Sequence, residues 1–366
     1  MRILAILLIL LTCANSTASA SGRNFELARP GYKYSFPKDH GSHENFKTEW
    51  WYYTGNLKGD DNNQYGYELT FFRSALDLER PVQNSIWAMP DIYMAHFAVT
   101  DVNNKKFYTK SRLQRPGPDF AGSTKDKLKV WTLNWSATME QGEKQTLKAK
   151  SSECTLELEV SPQKPLVIQG ENGISRKAAK GDHASHYYSY TRLKTQGWLT
   201  IEGKRVKVTG TSWMDHEFGS NQLDENQVGW DWFSIHLDNN KEIMLYLMRL
   251  EDGSYDQASS GSLIAENGVL THLKLSDYKI KTVGKWRSDK TKIEYPMGWE
   301  IEIPAQNVHL KVKPKLDNQE FARQEGNSVT YWEGACSVLG IYDNQQCKGD
   351  AYVEMTGYGD AFKLKI

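Results

Sequence analysis

Thr211-Ser-Trp-Met-Asp-His-Glu-Phe-Gly-Ser220 decides how the rest of the chain is read. It sets Asp215, His216 and Glu217 in a row between two large aromatics, Trp213 and Phe218. Gly229-Trp-Asp-Trp-Phe233 follows, with Asp231 between two indoles. Side chains alternate across a strand. As strands, these stretches put Trp213, Asp215 and Glu217 on one face, with Met214, His216 and Phe218 on the other. Trp230 and Trp232 then point one way, Asp231 and Phe233 the other. Two readings stay open. The charged groups form a buried hydrogen-bonded network, or they line a pocket. In a pocket, a carboxyl packed against indoles is poorly solvated, its pKa rises, and it becomes a general acid near neutral pH. Aromatic faces beside it would stabilise a developing cation.

The surrounding sequence predicts strands. An aromatic strand precedes Gly55, Asp60-Asp-Asn-Asn63 is a turn, and Tyr65–Arg73 is the return strand. Further alternating runs fall at Ile92–Thr100, Gln145–Lys150, Thr155–Val160, Thr195–Ile201, Val308–Val312 and Ala351–Thr356. No long 3.6-period apolar stripe interrupts them, so an all-β sandwich or barrel is expected. Trp50-Trp51 and the residues after them line up with Trp230-Asp-Trp232, 180 positions later. Each segment leads into an Asp/Asn turn and a strand ending in Arg, Arg73 or Arg249. Two copies of one β unit are therefore expected, dividing near residues 195–205.

The chain has 366 residues, with 45 basic and 45 acidic side chains, so a charge-driven nucleic-acid partner is not expected. Twelve Trp and nineteen Tyr favour β structure with aromatic-lined cavities. Arg2, the apolar run Ile3–Leu11 and Ala18-Ser-Ala20 read as a signal peptide over residues 1–20. The product would be exported to the periplasm or secreted, with no transmembrane segment in the mature chain. Cys13 after Leu10-Leu-Thr12 also resembles a lipoprotein box, so a lipid anchor there is an alternative. Cys336 and Cys347 flank the turn signal Tyr342–Gln345 and are expected to form a disulfide across a hairpin. Cys154, in an alternating strand, reads as a lone buried thiol.

Cofactors and metals are not expected. There is no Gly-rich phosphate loop, no HExxH and no GxSxG. His183 and His186 have an i, i+3 spacing without a fixed acidic partner, and His40 and His43 read as loop or network residues.

HENFKTEWWYYTG (43–55), YSYTRL (188–193), GTSWMDHEF (210–218), GWDWF (229–233), YWEGA (331–335) and YVEMTGY (352–358) together resemble the ordered motifs of the AttH/CrtC-like family. That family includes carotenoid 1,2-hydratase and exported proteins described as secreted hydrolases. The resemblance runs from about residue 37 to the C-terminus. It implies two tandem lipocalin-like antiparallel β-barrels, over 37–200 and 201–366, with a pocket for hydrophobic molecules at or near their contact. It also implies cofactor-free chemistry on apolar substrates. The hydratase pattern of a His with an aromatic two positions on maps to His216 and Phe218, and its later Tyr-x-Asp maps to Tyr246 and Met248. Met248 is no acid, so carotenoid hydration itself is not expected. The expected catalytic set is Asp215, His216, Glu217, Asp231 and Tyr246. The expected walls are Trp50, Trp51, Trp213, Phe218, Trp230 and Trp232. The expected function is binding of a lipid or isoprenoid, with acid–base chemistry of the hydratase, isomerase or cyclase kind. A non-catalytic carrier working with an ABC-transporter permease, and a secreted hydrolase, are the alternatives.

Overall fold

The computed structural model describes residues 24–76, 89–221, 223–323 and 329–361. The expected signal segment 1–20 and Cys13 lie outside them. Among the described residues the alternating runs become antiparallel strands, gathered into a 13-stranded and a 10-stranded sheet. The first sheet is a nearly closed barrel and the second a half-barrel, the expected tandem of lipocalin-like units.

Both sheets are wired alike. In the first, Thr48–Gly59, Gln64–Ala75, Asp91–Asp101 and Lys106–Gln114 form a meander, and Lys204–Asn221 returns to lie beside Thr48–Gly59. In the second, Gln227–Leu237, Glu242–Leu250, Ser260–Ile264 and Leu270–Lys274 form the meander, and Gln345–Thr356 returns beside Gln227–Leu237. The registers match as well. Trp50 lies opposite Phe72, and Trp230 opposite Met248. Glu49 lies opposite Arg73, and Gly229 opposite Arg249. The sequence repeat is therefore a repeat of structure.

Alternation sorts the side chains. Trp51, Tyr53, Tyr67, Leu69 and Phe71 fill the first barrel. Phe233, Ile235, Leu245, Trp299 and Trp332 fill the second. The opposite faces meet in a seam built on Tyr52, Tyr187, Trp213, Trp232 and Tyr246. Gly66 allows the close approach there, because a Cβ at this position would sit 2.7 Å from the Ala335 side chain of the other barrel.

The hairpin Ala184–Ile201 and Lys204–Asn221 turns through Glu202 and Gly203, both at positive φ, which suits the twist of a two-residue connection. A bulge sets Thr191 and Arg192 against the single residue Trp213. It frees Arg192 to reach across the seam to Glu242, where Lys164 Nζ lies 2.8 Å from the same carboxylate.

Two expectations are corrected. Residues 201–221 belong to the first sheet, and the sheets change between Asn221 and Gln227 rather than near residue 200. Cys336 and Cys347 form no disulfide, and both are buried free thiols, as is Cys154. The tight turn fixes the register of their hairpin, placing Cys336 opposite Ala351 and Cys347 opposite Gly340. Flanking the turn did not make them partners, because they stand at unequal distances from it.

Glu242→Ala leaves Lys164 and Arg192 without their shared counter-charge. It is expected to destabilise the chain by roughly 3–5 kcal/mol in urea unfolding. Unfolding without reductant is expected to make Cys336 and Cys347 alkylatable, read by peptide mass spectrometry, and a resistant pair would contradict the observed register.

Candidate functional site

A cavity of ≈ 700 Å³ opens in the seam. Its walls are aromatic and apolar: Trp50, Tyr52, Phe72, Trp230, Trp232 and Met248. Seven acids also line it, Asp224 and Glu225 from the connection between the two sheets and five from strands. Asp215 and Glu217 come from Lys204–Asn221, and Glu68 from Gln64–Ala75. Glu333 and Glu354 come from the last two strands of the second sheet.

Each acid is handled differently. Asp215 accepts from Trp213 Nε1 at 2.6 Å, Ser189 Oγ at 2.5 Å and Tyr187 OH at 2.8 Å. Burial pushes its pKa up to about 7 against the pull of those donors. Glu217 is paired with Lys177 Nζ at 2.6 Å and accepts from Ser185. Burial opposes the charge on Lys177, but Glu217 outweighs it and holds the lysine protonated. The Lys177 ammonium lies 5.2 Å from the Tyr187 ring centroid and 5.1 Å from that of Tyr246.

Glu68 and Glu333 hydrogen-bond to each other across the seam. Tyr52 donates to Glu333, and Tyr331 OH lies 3.2 and 3.3 Å from the two Glu68 oxygens. Burial raises both carboxyls, and the charges of Glu68 and Glu354 raise Glu333 further, so the pair holds a proton at neutral pH. Glu354 is supported least. Trp230 Nε1, at 2.9 Å, is its hydrogen-bond donor, and it binds Oε2 alone. Burial, with the negative charges of Glu68, Asp215 and Glu217, pushes Glu354 up to about 8. It is a carboxylic acid at pH 7 with one oxygen left for a ligand.

The other face of the same strand does different work. His216 Nε2 lies 2.8 Å from Glu49 Oε1, and His43 Nδ1 lies 2.7 Å from the same oxygen. Arg73 Nε approaches Glu49 Oε2 at 3.1 Å. Opposing the cost of burial, these charges and donors hold Glu49 well below the usual carboxylate range. Trp51 stacks on His216, and Phe218 on His43. His43, Glu49 and His216 bring one ligand atom each within 4.8 Å of one another. The buried Arg73 guanidinium already compensates that carboxylate, so the group reads as an imidazole–carboxylate–guanidinium network.

The ten-residue motif is thus split by alternation. Asp215 and Glu217 line the cavity, as do Trp50, Trp230 and Trp232, while Trp213 packs in the seam and donates to Asp215. His216, Phe218 and Trp51 face away from the cavity, and His216 cannot act as an orienting base beside Asp215. Asp231 is also on the far face. It binds Arg249 Nε at 3.1 Å and Tyr358 OH at 3.0 Å, and burial still raises it to about 6. Tyr246 lines the cavity, but its hydroxyl donates to Arg176 O at 2.9 Å and accepts from Ser260. His183 and His186, three apart along extended chain, do not converge. His183 lies 3.8 Å from Asp224, and His186 packs on Tyr32.

Glu68, Glu333, Glu354 and Lys177 were not expected. A signal for two of them existed, since YWEGA carries Glu333 and YVEMTGY carries Glu354, each with period-two aromatic neighbours.

A family model described as AttH-like matches residues 27–358. The crystal structure of an AttH protein from Nitrosomonas europaea is 31% identical, with a TM-score of 0.82, over 92% of this chain and all of that one. Kievitone hydratase from Nectria haematococca is 14% identical, with a TM-score of 0.70, over 92% of this chain and 97% of its own. At that identity the likeness concerns fold. The dehydratase asqC of Emericella nidulans is 21% identical over 205 residues, which is 52% of this chain and 55% of that protein's length. With the ordered motifs, the paired barrels and a match across nearly the whole described length, the chain belongs to the AttH-like family.

Proposed function

We propose that this chain is a cofactor-independent hydro-lyase-type enzyme, which adds water to, or removes it from, an apolar unsaturated molecule held between the barrels. One observation carries the reading. Glu354, half-buried, has a single indole donor and is set among Trp50, Trp230 and Trp232 in a cavity of ≈ 700 Å³, where loss of water raises its carboxyl to about 8. A general acid works best with a pKa near the operating pH. In the hydration direction, Glu354 gives its proton to one alkene carbon, leaving a cation on the other. Water adds to that cation, and Asp215 takes the proton that water loses. Transfer of this proton back to Glu354 closes the cycle. Dehydration is the same sequence reversed. Aromatic faces favour the cation, and the three donors on Asp215 suit it to the ionised state the base requires. A hydratase and a dehydratase among the similar proteins support the same class. Export belongs to this proposal too, and rests on the leader read at residues 1–20.

The test is incubation of the purified chain with a panel of isoprenoid alkenes and tertiary alcohols in heavy-oxygen water. Gain or loss of water is read by mass spectrometry. Glu354→Gln is expected to lower kcat by about 10²–10⁴-fold with little change in KM. In the wild type, the acid is active while protonated. Turnover should therefore peak between about pH 7, below which Asp215 is protonated and no longer a base, and about pH 8, above which Glu354 has lost its proton. Equal turnover in Glu354→Gln would remove Glu354 from the reaction. An unaltered ligand, bound alike by wild type and variant without turnover, would favour the carrier.

A further inference from the structure

The donors around the five carboxyls that the strands contribute are already committed to those carboxyls. Tyr187, Ser189 and Trp213 are directed at Asp215, and Trp232 is directed at Tyr187 behind them. Trp230 serves Glu354, Tyr52 serves Glu333, and Thr70 serves Glu68 at 3.0 Å. Lys177 and Ser185 serve Glu217. A carboxylate offers about four acceptor positions, and these donors fill only part of that capacity. His96 adds an uncommitted polar atom. It lines the cavity, is 1% exposed, shares Nδ1 with Tyr331 OH at 2.7 Å, and leaves Nε2 without a partner. Burial holds its imidazole neutral, at about 3. Against seven acids the lining sets two lysines, Lys47 and Lys177, the second already paired with Glu217, so acids outnumber cations. What surrounds them is aromatic.

We propose that the inter-barrel cavity binds a lipophilic ammonium ion: an apolar body in the Trp50–Phe72–Met248 wall, with its protonated nitrogen between Glu354, Glu333 and Glu68 and against the Trp230 and Trp232 faces. Carboxylates and indole faces both attract such a cation, and the apolar body gains by leaving water. The free site avoids its own repulsion by holding protons, and the bound cation replaces them. Lys177 does not compete for the acids, because Glu217 neutralises it. This ligand class deepens the proposed reaction, since the carbocation formed there presents the same charge to the same walls. It also makes such amines inhibitors of that reaction.

The probes are decyldimethylamine, decanol and decanoate, below their aggregation limits. Isothermal titration of the mature chain in two buffers of different ionisation heat gives affinity and proton release. The amine is expected to bind about tenfold or more tightly than decanol, with protons released to the buffer, and decanoate to bind weakest. The cation favours ionised carboxyls. Amine affinity should therefore rise between about pH 6 and 8, where Asp215 and Glu354 titrate, while decanol affinity stays level. Glu333→Gln should narrow the amine–decanol gap, with near-ultraviolet circular dichroism reporting whether it folds. The comparison of three probes on the wild type stands without the variant. Decanol or decanoate binding as tightly as the amine, or amine binding without proton release, would overturn the proposal. Amine selectivity without water addition would keep this site and remove the catalytic reading. Water addition without amine selectivity would do the reverse.

Discussion

A carboxyl group kept from water must be neutral, paired, or supplied with donors. The seam between the barrels uses all three arrangements within one cavity. Glu217 is paired with Lys177. Asp215 is supplied by a tyrosine, a serine and a tryptophan. Glu68 and Glu333 share a proton across the seam. Glu354, with one donor, is left to be neutral. The distribution sets the chemistry, because the least supported acid holds its proton beside the ligand space. Better support would hold Glu354 ionised and remove the proton that the proposed reaction needs.

The internal repeat shows how these differences arose from one unit. Trp50 and Tyr52 in the first sheet stand where Trp230 and Trp232 stand in the second. By register, Asp215 opposite Tyr52 corresponds to Glu354 opposite Trp232. Ser189, a donor opposite Asp215, corresponds to Glu333, an acid opposite Glu354. Replacing a donor with a second acid on one side changes a stabilised carboxylate into a proton-holding cluster. The far faces diverged as well. Glu49 corresponds to Gly229, so the imidazole–carboxylate–guanidinium network belongs to the first barrel, and Arg249 turns instead to Asp231.

The all-β fold and the repeat were legible because both rest on local signals. Aromatic and β-branched alternation gives strands, Asp/Asn turns end them, and the 180-residue offset survives in sequence. The sorting of Asp215 and Glu217 away from His216 followed from alternation alone. The same alternation keeps His216 from joining Asp215 in one reaction. Glu68, Glu333 and Glu354 were missed because their meaning depends on which strands adjoin across the seam, and pairing between barrels has no sequence period. The disulfide expectation failed for a narrower reason. A turn sets register residue by residue, and Cys336 and Cys347 stand at unequal distances from it.

A single lipocalin-like barrel can hold a ligand within its own mouth. Here both interiors are filled, by Trp51, Tyr53 and Trp135 in one and by Trp299 and Trp332 in the other. Ligand space arises instead between outward faces that water would otherwise wet. Those faces can carry acids, because solvent could hydrate them before the barrels meet, whereas a barrel core would have to bury them as it formed. Docking of the two units then removes the water and raises the carboxyls. In this architecture the acidity of Glu354 is a property of the contact between two barrels, each ordinary by itself. Loosening that contact at Gly66 or at the Arg192–Glu242 bridge would lower the Glu354 pKa without touching the residue.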